Sequence, residues 1–303
     1  MKLLITGANG QLGRELETLI HTGVSSSGSI PEAFHHAELY KTDLPELDLS
    51  DLHSTRDYIS SIHPDIIINC AAYTNVDGCE RNQETAYLAN TVGPKNLAIC
   101  AEKIGATLIH VSTDYVFDGK DNHGIPRTEQ DPPAPLSVYG STKLAGENYV
   151  KQFCSKYFIV RTAWLYSPYG KNFVKTICNA GRKYGRLEVV NDQFGNPTNA
   201  ADLAYMILQL AATDAYGLYH CTGSGICSWF DFASKIIEYA GIEAAVIPCT
   251  TEEYKAKHPE SADRPRWSAL DCSKLEQVTG CRMRDWQSAL KDYFEKADTY
   301  ETV

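Results

Sequence analysis

A Rossmann-type α/β fold, a doubly wound parallel sheet with a smaller α/β lobe interleaved with it in sequence, is what this chain of 303 residues predicts. Three observations carry the prediction. An apolar strand at the amino terminus ends in a glycine-rich turn, and a helical pattern begins inside that turn. Strand and helix patterns then alternate through the first half, as in a parallel sheet covered on both faces. Beyond Arg161 the alternation loosens, which leaves material for a second lobe.

Taken in order, residues 2–6 form the first strand, and Leu12, Leu16, Leu19 and Ile20 recur at helical spacing over 11–22. The Ser- and Gly-rich stretch 23–31 is a loop that lengthens the path to a strand at 38–42. A helix over 52–62 leads to a strand at 65–70, where Ile66, Ile67 and Ile68 stand in succession. Apolar residues at successive positions belong to a strand buried on both faces. A helix over 84–104, a strand at 107–111, a helix over 137–155 and a strand at 157–160 continue the alternation. The stretch 119–135, with four prolines, reads as a loop over the site. Strands at 187–190 and 218–221 are expected to extend the same sheet, and helices over 230–239 and 285–297 to build the second lobe. No internal repeat is visible.

Composition narrows the partners. Apolar residues make up 43% of the chain, which suits an ordinary globular core. A net charge of −10 argues against nucleic acid, because binding its backbone relies on dense Lys and Arg. An anionic small molecule can still be held by a few local donors. No apolar run approaches the 18 or so residues of a membrane span. Ten cysteines are scattered without a Cys-x-x-Cys pair, and Met1 leads straight into the first strand instead of a secretory signal. Reduced thiols in the cytoplasm are the expectation.

The chemistry is written in three segments. Gly7-Ala-Asn9-Gly10-Gln11-Leu12-Gly13 joins strand to helix. Glycines there permit a tight turn, let a pyrophosphate approach main-chain N–H groups and allow close helix-to-sheet packing, so the turn predicts dinucleotide binding. The second segment, Tyr139-Gly-Ser-Thr-Lys143, places a phenol and an ammonium on one helix face, about 5–6 Å apart at Cβ. A lysine cation beside it favours the ionised phenol, which predicts a Tyr139 pKa below the ordinary value of about 10. The third, His110-Val-Ser112-Thr113-Asp114-Tyr115-Val-Phe-Asp-Gly119, sets hydroxyls at the carboxyl end of a strand, where open parallel sheets bind ligands. Thr113, Tyr139 and Lys143 are the candidate catalytic set. A dinucleotide-binding domain of residues 1–161, continued by 187–222, and a substrate-binding lobe of 162–186 and 223–303 follow as the expected division.

With these segments, and with Asn69-Cys-Ala-Ala-Tyr-Thr-Asn-Val-Asp77, Arg161-Thr-Ala-Trp164-Leu-Tyr166, Asn172-Phe173, Asn191-Asp-Gln-Phe-Gly-Asn-Pro-Thr198, Gly217-Leu-Tyr-His220 and Arg264-Pro265, the chain resembles the extended short-chain dehydrogenase/reductases. More narrowly it is similar to the dTDP-4-dehydrorhamnose reductase family. The glycine turn and the Tyr/Lys pair mark only the superfamily; the Ser-Thr-Asp-Tyr-Val-Phe-Asp-Gly and Asp-Gln-x-Gly-x-Pro-Thr strings narrow it to the reductases.

The resemblance implies reduction of the 4-keto group of dTDP-4-dehydro-L-rhamnose, with NADPH or NADH as cofactor and a dTDP-sugar as substrate, in the supply of a cell-surface polysaccharide. Tyr139 would be the acid, Thr113 a second hydrogen bond to the same oxygen, and Lys143 the holder of the nicotinamide ribose. Asp43 is the nearest carboxylate to the adenosine ribose and favours NAD, whereas Lys41 would welcome the 2′-phosphate of NADP. Asp48 and Leu49 resemble the family's adenine-side pair, and Ala71, Ala72 and Tyr73 would line the cofactor. For the sugar nucleotide the resemblance points to Thr74, Val76, Asp77, Tyr115, Trp164, Asn172, Phe173 and Arg264. Asn90 could bond backbone or water near the site, but helix asparagines are commonly solvated, so it is expected to be solvated and is not counted. Some family members bind Mg2+ at a dimer contact through a glutamate at the place of Glu15 and another just after the Pro-Thr segment. Here that second place reads Ala201, followed by Asp202, so no metal site is assigned and Glu15 is expected to be solvated; a homodimer stays open. The alternatives are another nucleotide-sugar oxidoreductase or epimerase, or a non-catalytic regulatory subunit resembling the methionine adenosyltransferase beta subunit, which need not keep Thr113, Tyr139 and Lys143.

Overall fold

The computed structural model describes residues 1–120 and 124–296; residues 121–123 of the expected loop and Ala297 of the expected last helix lie outside them. Six parallel strands form the central sheet: β1 (Lys2–Thr6), β2 (Glu38–Thr42), β3 (Ile66–Asn69), β4 (Thr107–Thr113), β5 (Tyr157–Thr162) and β6 (Gly217–His220), in the order β6-β5-β4-β3-β1-β2. The order reverses direction beside β1, and the crevice outside the carboxyl ends of β1 and β3 is where such a sheet takes its ligand. β3 is buried along its whole length, as its run of isoleucines requires.

Helices cover both faces. On one, α1 (Gln11–Thr22) packs through Leu12, Leu16 and Leu19 with Leu203 and Ile207 of α6 (Ala200–Ala211). On the other, α2 (Leu52–Ile62), α3 (Gly93–Ile104) and α4 (Val138–Phe153) bury Ile59, Leu97, Ala101 and Val150 against Leu4, Ile67 and Leu108. A separate core of Tyr166, Ile177, Phe232, Ile236, Trp286 and Leu290 joins α5 (Phe173–Tyr184), α7 (Trp229–Tyr239) and α8 (Trp286–Glu295).

One expectation is corrected and another refined. Residues 187–190 do not extend the central sheet: the strand Arg186–Val190 pairs in parallel with Ala245–Cys249. The edge of β5 is already taken by β6, and Val189 is buried in the second core with Ile177 and Ile237. The helix expected over 84–104 is present and uninterrupted from residue 83, but it passes from α-helix at Gln83–Tyr87 through a π-helical segment at Leu88–Val92 into α3. Pro94 is the cause, since it has no N–H for the Asn90 carbonyl four residues back and its ring crowds that carbonyl. The loop 23–31 holds a minimal hairpin, Val24–Ser25 with Gly28–Ser29.

Candidate active site

The turn after β1 is shaped by two glycines. Gly7 has φ +66°, and a Cβ there would lie 2.5 Å from the Ala71 nitrogen; a Cβ on Gly13 would lie 2.6 Å from the Ala8 Cα. Only glycine lets the turn, the end of β3 and the start of α1 close on one another. Gly10 is the N-cap of α1 with no side chain to occupy the helix's first N–H groups, which are therefore free for an anion. A Cβ on Gly10 would meet only the Gly7 carbonyl oxygen, at 3.2 Å. The turn fits a dinucleotide pyrophosphate.

Two clefts meet over this turn and share Gly7, Gly10, Cys70 and Ala72. The first, about 260 Å³, is bounded by Asp43, Asp48, Leu49, Ala71 and Tyr73. The second, about 560 Å³, brings together Gln11, Leu12, Thr74, Val76, Thr113, Tyr115, Tyr139, Lys143, Trp164 and Asn172. Residues scattered over 160 positions of sequence thus line one groove at the carboxyl end of the sheet. Five sequence-predicted residues stand off it. Asn9 gives its N–H to Asp43 Oδ2 at 2.9 Å, and Gly13 packs under Ala8. Phe173 lies behind the wall, its ring 4.5 Å from Trp229. Asp77 and Arg264 are paired to one another, Arg264 Nη2 standing 3.1 Å from both carboxylate oxygens.

Asp43 also accepts the Leu44 N–H at 2.8 Å, so its carboxylate is fixed at the rim of the first cleft. Lys41 is tied to Glu17 at 2.5 Å.

Tyr139 and Lys143 sit one helical turn apart on α4. Lys143 is buried and its Nζ donates to the Val111 carbonyl at 2.6 Å; burial pulls its pKa down to about 8, opposed by the charge of Glu147. The expected depression of the Tyr139 pKa is not what the site produces. Burial dominates and raises it, a hydrogen bond with Thr113 works the other way, and the charge of Asp114 adds to the rise. Near neutral pH the phenol keeps its proton, as an unshifted phenol would. Thr113 donates to Asp114 Oδ1 at 3.0 Å, and burial pushes the Asp114 carboxyl up to about 6.

Several residues of the site gave no local signal. Asn90, expected to be solvated, is completely buried in the π-helical segment: its side chain accepts the Tyr73 N–H at 2.8 Å and donates to the Tyr73 carbonyl at 3.1 Å and to Thr142 at 3.2 Å. It ties the cofactor-cleft wall to the helix of Tyr139 and Lys143. Trp229 lines the second cleft and stacks on Trp164 with ring centroids 3.5 Å apart and planes 9° apart. Trp164 has φ +48°, and a Cβ on Gly195 would lie 2.7 Å from its indole. Behind the site, Glu147 takes hydrogen bonds from Ser112 and Arg161. Nothing in the spacing of these residues relates them; only the fold does.

Glu15 is corrected as well: it is buried, and burial followed by the charge of Asp202 pushes its carboxyl up to about 7. Asp202 is held by Arg284 at 2.9 Å and by the Ser27 hydroxyl at 2.9 Å. Asp202 is thus already paired with a guanidinium, and among the described residues no group of three or more His, Cys, Asp and Glu side chains is placed to hold a metal ion.

The parallel sheet, the glycine turn and the Thr113, Tyr139, Lys143 constellation together define a short-chain dehydrogenase/reductase of the extended type. A family described as the RmlD substrate binding domain matches residues 1–299. The chain belongs to the dTDP-4-dehydrorhamnose reductase family. The spore coat polysaccharide biosynthesis protein SpsK of Bacillus subtilis is 38% identical over 295 residues, 97% of each chain. The structure of a dTDP-4-dehydrorhamnose reductase of Clostridium acetobutylicum superposes with a TM-score of 0.90 at 45% identity, over 98% of this chain and 100% of that one. That of a Bacillus anthracis dTDP-4-dehydrorhamnose reductase in complex with NADP gives 0.89 at 40% identity, over 97% and 99%. Among the described residues no helix is long and apolar enough to cross a membrane.

Proposed function

We propose that the chain reduces the 4-keto group of dTDP-4-dehydro-L-rhamnose to give dTDP-L-rhamnose, using NADPH or NADH. The observation that carries this reading is the placement of the Tyr139 phenol with Thr113 and Lys143 in the cleft that adjoins the glycine turn.

Bound reduced nicotinamide supplies the hydride to the carbonyl carbon. Tyr139 donates its proton to the developing alkoxide, so the ketone gains a hydride and a proton and leaves as an alcohol. Thr113 holds the same oxygen by turning to it the proton it now gives to Asp114. Lys143 holds the nicotinamide ribose, and its cation offsets the charge left on the phenolate. The turn from Gly7 to Gly13 takes the pyrophosphate, and the cleft of Asp43, Asp48 and Leu49 takes the adenosine. Trp164, Tyr115, Thr74, Val76 and Asn172 face the sugar, and Arg264 with its partner Asp77 stands where the substrate diphosphate is held. Reduction in the cytoplasm fits the ten free cysteines.

The test is a coupled assay in which dTDP-glucose is converted to the keto-sugar and the absorbance of reduced cofactor is followed after adding the protein. Oxidation of NADPH or NADH in step with keto-sugar consumption is expected; no oxidation of either would overturn the reading.

A further inference from the structure

We propose that Glu17 is a specificity-determining residue: by holding Lys41 it closes the subsite beside the adenosine ribose to a 2′-phosphate, so the protein takes NADH in preference to NADPH. The inference rests on the reading above that the glycine turn holds the cofactor, and it says which cofactor that is.

A third cleft, of about 400 Å³, opens beyond the end of β2 and shares Thr42 and Asp43 with the adenosine cleft. On such a sheet the ribose 2′-oxygen of a dinucleotide stands near the end of the second strand. A group attached to that oxygen therefore extends past Asp43 into the third cleft. The walls there bring together two cations, Arg14 and Lys41, and three carboxylates, Glu17, Asp43 and Glu46. The carboxylates outnumber the cations, so the lining is net negative before any ligand enters.

Asp43 is held at the boundary of the two clefts. Its Oδ2 accepts the Asn9 N–H at 2.9 Å and its Oδ1 the Leu44 N–H at 2.8 Å. An ionised carboxyl can accept further hydrogen bonds and donates none, so it suits a ribose hydroxyl and repels a phosphate. Two cations stand near enough to override that preference. Arg14 lies over the ring of Tyr169, its guanidinium carbon 5.4 Å from the centroid. Lys41 Nζ is 2.5 Å from Glu17 Oε1.

A phosphate monoester carries close to two negative charges at neutral pH. For Lys41 to reach it, the ammonium must leave Glu17, whose carboxylate then stands beside the dianion. The attraction of the one and the repulsion of the other act over similar distances and largely cancel. Asp43 then decides, in favour of the hydroxyl. Glu17 lies one turn past Gly13 on α1, outside the glycine turn, and the usual reading of a 2′-hydroxyl by an acid at the end of the second strand involves only Asp43. The cation that would overturn that reading is present in this chain, and Glu17 is what disables it.

The experiment is titration of the whole protein with NADH and with NADPH, followed by nicotinamide fluorescence, at low salt, where exposed charges act most strongly. Wild-type protein is expected to bind NADH about tenfold more tightly than NADPH, the effect of about one charge-assisted hydrogen bond. Glu17→Gln frees Lys41 and should move the preference toward NADPH by about tenfold. Glu17→Gln/Lys41→Met restores the charge of the lining and should show the wild-type preference. Equal or tighter binding of NADPH by wild-type protein overturns the proposal. So does a Glu17→Gln preference within about twofold of wild type, or a gain for NADPH that persists without Lys41. If a variant does not fold, the wild-type comparison alone decides. Binding of neither cofactor would instead overturn the reading on which this rests, and the proposal with it.

Discussion

Arg161 grips Glu147 with Nε on Oε1 at 2.8 Å and Nη2 on Oε2 at 2.7 Å, in a place where both side chains are sealed from water. Glu147 lies one turn beyond Lys143 on α4, and Arg161 lies opposite Ser112 in the register of β4 and β5. The pair therefore locks the helix of Tyr139 and Lys143 to β5, and Ser112, which donates to Glu147 Oε1 at 2.6 Å, ties the same carboxylate to β4, the strand of Thr113. Arg161→Met would leave the buried Glu147 carboxylate without its bidentate partner, with Ser112 and, at 3.7 Å, Lys151 still beside it, and breaking a buried pair costs about 3–5 kcal/mol. Urea denaturation should show a loss of that size, with the double variant Glu147→Leu/Arg161→Met less affected. A loss below about 1 kcal/mol for Arg161→Met would contradict the role assigned to the pair.

Glu15 gives stability a dependence on pH of its own. Its carboxyl is raised from 4.5 to about 7, so the folded state holds a proton that the unfolded chain releases. That contribution is whole below 4.5 and is lost as pH rises through about 7. Glu15→Gln should therefore raise the stability at pH 8 relative to wild type, by roughly 2–4 kcal/mol, and change it little at pH 4.5. Thermal melts of both proteins at the two pH values check this; an equal effect at both would refute it.

The sheet was legible in the sequence because its signals are local. The glycine turn, the isoleucines of β3 and the Tyr139 to Lys143 spacing each lie within a few residues, and the structure places them as read. What was illegible depends on distant partners. Arg186–Val190 reads as one more strand of the sheet, and only Ala245–Cys249, far along the chain, gives it another place. Glu15 and Asn90 look like solvated helix residues until α6 and α4 cover them. The sign of the Tyr139 shift was misread for the same reason: Lys143 is visible in the sequence, whereas the burial that outweighs it is not.

Gly10→Val tests the glycine turn. The side chain would stand where the pyrophosphate meets the free N–H groups of α1, and losing a charge-assisted hydrogen bond costs roughly tenfold or more in affinity. Fluorescence titration with NADPH and NADH should show weaker binding of both. Unchanged affinity in folded protein would remove the turn from the cofactor site.

Lys143 sets an alkaline limit. With its pKa near 8, its cation is lost as pH rises through that value, so kcat/KM for the cofactor, which reports the free enzyme, should fall above about pH 8. Lys143→Met removes the ribose contact along with the charge, so cofactor affinity and kcat should drop together. A pH profile flat from 7 to 9.5 would show that the lysine charge is not needed.

The central claim is that Tyr139 delivers the proton, and the most direct measurement is kcat for Tyr139→Phe with hydride transfer shown to limit turnover. The substitution removes one hydroxyl and keeps the ring. Positioned acid catalysis is worth about 10²–10⁴-fold, so kcat should fall by about that factor while cofactor affinity stays near wild type. A folded variant that keeps more than about half of the wild-type kcat would contradict the account.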